Sequence, residues 1–69
     1  MTDGKELRKR IKSKGYMLSF VADELEITPA SLTNKLDNKT SFKLDEVSQL
    51  CKILDIKSLK DKEALFFAQ

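Results

Sequence analysis

Between Thr28 and Leu36 the chain sets small polar side chains where a helix would turn them outward: Pro29, Ala30, Thr33 and Asn34, with Ser31 and Lys35 at the edges. An idle surface helix usually carries Glu and Lys. A face of hydroxyl, amide and methyl groups with one lysine suits a surface of hydrogen-bonding edges, and the bases of duplex DNA are such a surface. Other chemistry has little support. The chain has no His, so the common general base is missing. Asp23 and Glu24 are neighbours on a helix and point apart, which leaves no carboxylate pair. With only Gly4 and Gly15 there is no glycine-rich phosphate loop. Cys51 has no His to activate it and lies at a core spacing, so it reads as a packing residue. These features exclude an enzyme, a metal site and a bound cofactor, and no small-molecule ligand is expected.

The elements that must hold this face are short helices. Helix 1 is expected from Gly4 to Lys14, opened by a capping box of Asp3 and Glu6 and stopped by Gly15. Helix 2 covers Leu18 to Glu26 and buries Val21, Ala22 and Leu25, with Phe20 as an addition. Helix 3 starts at Pro29, where a missing N–H is harmless, with Thr28 as its cap, and ends at Leu36. Leu32 and Leu36, four apart, turn to the core. Asn38-Lys39-Thr40-Ser41 is a polar loop. Helix 4 runs from Leu44 to Leu54, with Val47, Leu50, Cys51 and Leu54 on one stripe and Asp45 and Glu46 in its first turn. Helix 5 follows Ser58 and continues through Phe67. The expected fold is therefore all-α, a compact bundle of five short helices in one domain over residues 1–69, with a helix-turn-helix at helices 2 and 3 and a tight turn at Glu26-Ile27.

Composition agrees with a small folded domain: 69 residues, 41% hydrophobic and 35% charged. No apolar run is long enough to span a membrane, and helix 1 offers only Leu7 and Ile11 as an apolar face, too thin to lie in one. With a single Cys and no signal peptide the chain is expected in the cytoplasm. The net charge of +2 says less than its distribution. Residues 1–16 carry six basic against two acidic groups, residues 17–27 carry Asp23, Glu24 and Glu26 alone, and residues 28–43 carry Lys35, Lys39 and Lys43 against Asp37. Two basic zones flank an acidic one, as a phosphate-facing rim would require. The ending Leu65-Phe66-Phe67-Ala68 is apolar for a terminus. One Phe fits a small core easily and two are harder to bury, so Leu65, Phe66 and Phe67 are candidates for a partner or dimer interface.

The run Phe20-Val21-Ala22-Asp23-Glu24-Leu25-Glu26-Ile27-Thr28-Pro29-Ala30-Ser31-Leu32-Thr33 resembles the lambda-repressor-like helix-turn-helix family, the Cro and repressor group. Gly4-Lys5-Glu6-Leu7-Arg8-Lys9-Arg10-Ile11 and Ser31-Leu32-Thr33-Asn34-Lys35-Leu36 look most like small Cro-like proteins of Gram-positive phages and prophages. The resemblance implies that helix 3 enters the major groove of double-stranded operator DNA, with Pro29, Ala30, Thr33 and Asn34 at the bases. Asn34 could bond adenine bidentately and Ala30 could touch a thymine methyl. Ser31, Lys35, Asn38, Lys39 and Thr40 would hold phosphates, with Lys14 and Lys43 as further candidates.

The chain departs from the family pattern in four ways. Glu26 stands where the turn usually has Gly. Leu18 replaces the usual Gln, whose role is not carried over. Lys35 replaces an apolar residue, with Leu36 apolar instead. Ile11 and Leu36 stand where many members pair a buried Arg and Glu, so an apolar contact is expected there. Two functions follow. One is a sequence-specific repressor acting as a homodimer at a two-fold operator. The other is an interaction module that binds a repressor protein and modulates it, motivated by the modest charge, Leu18 and the apolar end.

Overall fold

Asp3 opens the first helix: its carboxylate accepts from the Glu6 backbone N–H at 3.2 Å. The reciprocal half of the expected capping box does not form. The Asp3 N–H is taken by the Leu65 carbonyl at 2.6 Å, and the Glu6 carboxylate turns to Arg10 at 3.2 Å. The computed structural model describes residues 1–67, with α1 at Gly4–Ser13, α2 at Leu18–Glu24, α3 at Pro29–Leu36, α4 at Leu44–Ile53 and α5 at Leu59–Phe66. No strand occurs among the described residues. The architecture is all-α, as the periodicity implies, and Ala68 of the apolar ending lies outside the described residues.

The first four helices stop in the same way. After α1, α2, α3 and α4 one residue takes positive φ: Gly15 (78°), Glu26 (59°), Asn38 (63°) and Asp55 (57°). The N–H of the residue that follows bonds back across the last turn: Tyr16 to the Ile11 carbonyl, Ile27 to Ala22, Lys39 to Asn34 and Ile56 to Cys51. This is the Schellman closure, which satisfies carbonyls that a helix end leaves unpaired. Glycine is the easiest residue at such a position and Asn and Asp tolerate it. Glu26 adopts it without that tolerance. The turn keeps its shape and accepts the backbone strain, while α2 ends at Glu24, two residues short of the expected end.

All five helices feed one core. Leu7 and Ile11 of α1, Val21 and Ala22 of α2, Leu32 and Leu36 of α3, Leu50 and Cys51 of α4, and Leu65 and Phe66 of α5 are buried together, with Leu25, Leu54 and Ile56 from the turns. Packing runs α2 on α3, α1 on α3 and α5, and α2 on α4. Ile11 and Leu36, where an apolar contact is expected, are both buried in this core at 2% exposure. Gly4 is buried where α1 meets the end of α3, and a Cβ there would overlap the Leu36 carbonyl oxygen. Phe20 corrects the sequence reading: it is 45% exposed and stacks on Tyr16 with centroids 4.9 Å apart. Leu65 and Phe66 are also corrected, since both are core residues, whereas Phe67 is exposed just beyond the last helical turn.

Candidate nucleic-acid interface

α3 is fixed at its start by Thr28, whose hydroxyl accepts from the Ser31 N–H at 3.1 Å, and by Pro29 in the first turn. Its inner face is pinned by Leu32 and Leu36. The outer face then presents Pro29, Ala30 and Asn34 exposed and Ser31 and Thr33 half-buried. No described residue hydrogen-bonds the Asn34 carboxamide, while its backbone carbonyl accepts from Lys39 and Thr40 at 2.9 and 3.4 Å. That carboxamide is presented ready for an external partner, and the chain behind it is tied down.

The loop after α3 sorts the expected phosphate contacts. Lys39, Thr40 and Lys43 are exposed, and their side chains make no hydrogen bond or ion pair among the described residues. Asn38 is engaged within the fold. Thr2 donates its N–H to Asn38 Oδ1 at 2.8 Å, and Asn38 Nδ2 donates back to the Thr2 carbonyl at 2.8 Å. This carboxamide clamps the N-terminal segment onto the end of α3. Lys14 is held by Asp55 at 2.8 Å, joining the ends of α1 and α4. Their hydrogen bond, and then their opposite charges, raise the Lys14 pKa and lower that of Asp55.

Lys35 departs furthest from its expected place. It is not an edge lysine free to reach a phosphate: it is 7% exposed. Its Nζ lies 3.0 Å from Glu46 Oε1, donates to the Ser41 carbonyl at 3.0 Å, and sits 5.9 Å from the centre of the Phe42 ring. Glu46 is equally buried at 6% and also accepts from the Lys43 backbone N–H at 2.9 Å. Burial pushes the Glu46 carboxyl up, but the hydrogen bonds from Lys43 and Lys35 and their positive charges outweigh it and hold the group below its ordinary value of 4.5. Sequence reasoning missed this pair because a lysine beside a polar loop looks like solvated charge. The one available signal was a basic residue standing where the related pattern is apolar.

Two further features frame the face. Glu24, Glu26, Asp45 and Glu46 line a cleft with Leu25 and Gln49, so negative charge runs alongside α3 from the turn before it to the Glu46 that meets Lys35. Arg8 reaches Asp37 at 2.8 Å just beyond the C-terminal end of α3. At the far side of the loop a groove of about 420 Å³ is lined by Met1, Phe42, Val47, Phe66 and Phe67 among others. Cys51 is buried, and burial raises its thiol pKa against a smaller opposing effect of Lys62, which suits packing and not reactivity.

A short helix, a Schellman-closed turn and a capped second helix with an open polar face make a helix-turn-helix, a unit of the DNA-binding class. Residues 6–61 match the family model of the Cro/C1-type HTH DNA-binding domain, and the chain belongs to that family. No curated protein and no solved structure matches it. No helix among the described residues is long and apolar enough to cross a membrane.

Proposed function

We propose that the chain is a sequence-specific transcriptional regulator, a Cro-like phage or prophage repressor that lays α3 in the major groove of its operator. The open face of α3, centred on the unengaged Asn34 carboxamide, carries this reading. Asn34, Thr33, Ala30 and Pro29 meet the bases, with hydrogen bonds at the Asn34 end and apolar or shape-based readout at the Pro29 end. Ser31, Lys39, Thr40 and Lys43 hold the phosphates and fix register. Lys35 is left out of the contact set because of its burial. A molecule 27 × 24 × 20 Å across suits a homodimer on half-sites about 34 Å apart, and two half-sites offset the weak binding of one small domain.

The exposed Phe67, at 57%, and Met1, at 74%, favour a second reading, in which the same fold binds a repressor protein and modulates it. Binding to duplex fragments from the protein's own gene neighbourhood, in salt titration against random DNA, separates the two. One fragment bound tightly, with a steep salt slope and clear excess over random DNA, supports the repressor. Weak binding blind to sequence supports the modulator and directs the search to a protein at the Phe67 end.

A further inference from the structure

The segment between α3 and α4 is anchored twice. Its first half is closed by the Asn38 turn, where Lys39 and Thr40 bond the Asn34 carbonyl. Its second half leads into α4, whose Val47 N–H bonds the Lys43 carbonyl at 2.9 Å, and is held from beneath. Lys35 Nζ donates to the Ser41 carbonyl, and Glu46 Oε1 receives both the Lys35 ammonium at 3.0 Å and the Lys43 N–H at 2.9 Å. Phe42 is fixed between the Lys35 ammonium and the Phe66 ring, which it meets edge-on at 5.8 Å. The exposed Lys39 and Thr40 belong to the first anchor, and the exposed Lys43 lies at the second.

We infer that Lys35 and Glu46 are positioning residues for DNA binding: together they set the course of residues 41–43 so that the exposed Lys43 side chain meets the phosphate backbone, while neither touches DNA. This rests on the DNA-binding reading above. It also explains why a lysine on the DNA-reading helix faces inward. Its three donors are spent on a carboxylate, a loop carbonyl and an aromatic face, all on the side of the segment that follows.

The test is a cycle of Lys43→Ala and the double variant Lys35→Met/Glu46→Met, each alone and combined, with a random-sequence 20-base-pair duplex as probe in fluorescence-anisotropy salt titrations. The double variant removes one charge of each sign, so the net charge stays at +2. An apolar pair in place of a buried ion pair is commonly tolerated by the fold. Lys43→Ala and the double variant are each expected to weaken binding roughly tenfold at low salt and to lower the salt slope by about 0.9, the signature of one phosphate contact. The triple variant is expected to be no weaker than either, because the contact is already lost. A double variant that keeps the parent's affinity and slope overturns the inference. So does a triple variant with both losses added, which would make Lys35 a separate phosphate contact. If the double variant is unfolded by circular dichroism, Glu46→Asp takes its place: it keeps every charge, shortens the reach by one methylene, and is held to the same non-additivity with Lys43→Ala. A parent that binds no duplex DNA overturns the functional reading, and the inference with it.

Discussion

At the residue scale the proposed function divides the exposed side chains of α3 and its following loop into those expected to discriminate and those expected to hold. Asn34→Ala is expected to lower affinity for the operator by about 1–3 kcal/mol while leaving random DNA nearly unchanged, because a carboxamide acts on base edges. Lys39→Ala is expected to weaken operator and random DNA alike and to reduce the salt slope by about one contact. Competition titrations on both DNAs read the difference, and equal effects of the two variants on every duplex would remove Asn34 from the base-reading set. Glu26 is the opposite case, a side chain whose type fits neither its backbone nor its surroundings. It holds a φ of 59° and adds to the negative border of α3. Glu26→Gly should relieve left-handed strain of about 1 kcal/mol, partly offset by the greater freedom of glycine in the unfolded chain. Thermal melts should show the midpoint rising by a few degrees, and DNA affinity at low salt should rise as well.

At the element scale the fold depends on one close approach. Ala is the better helix former by about 1 kcal/mol, so propensity alone favours Gly4→Ala. The structure reverses that expectation, because the added methyl would collide with the Leu36 carbonyl where α1 crosses the end of α3. Gly4→Ala is therefore expected to destabilise the chain by about 1–3 kcal/mol, as overpacking does elsewhere, in urea or thermal unfolding. A neutral or stabilising result would show that the two helices separate at little cost. The same crossing carries Arg8 to Asp37 and Asn38 to Thr2, so α3 is tied to the N-terminal segment at the end that leads into the polar loop before α4. Neither link is visible in the sequence, where the partners stand 29 and 36 residues apart.

At the scale of the whole molecule the least ordinary feature is a buried charge pair in a core this small. The Glu46 carboxyl is held below 4.5 in the folded state, so the unfolded chain takes up the proton first as pH falls. Its contribution is fully present above the unfolded value and is lost as pH drops through the folded one. Stability is thus expected to be flat from neutral pH to about 5 and to decline below about pH 4.5, with Lys35→Met/Glu46→Met showing a shallower decline. Denaturant midpoints measured across that range check it, and an identical acid profile in the double variant would show that other carboxylates govern the loss.

Most of the fold was legible because its signals are local. The caps at Asp3, Thr28 and Ser58, the proline at the start of α3, and the spacings Leu32–Leu36 and Val47–Leu50–Cys51–Leu54 act over three to seven residues, and the chain carries both partners of each within reach. The polar face of α3 follows from those spacings, since fixing Leu32 and Leu36 inward decides what points out. Tertiary structure alone decided where the remaining side chains went. Lys35 reads as solvated until α4 brings a carboxylate to face it, Phe20 reads as core until the bundle leaves its side of α2 open, and Leu65 and Phe66 read as surplus until the core proves able to take both. A charge or an aromatic ring is buried or exposed according to what packs against it, and that partner arrives from a distant part of the chain. Local periodicity determines the elements and their faces; only their packing assigns each group its neighbour.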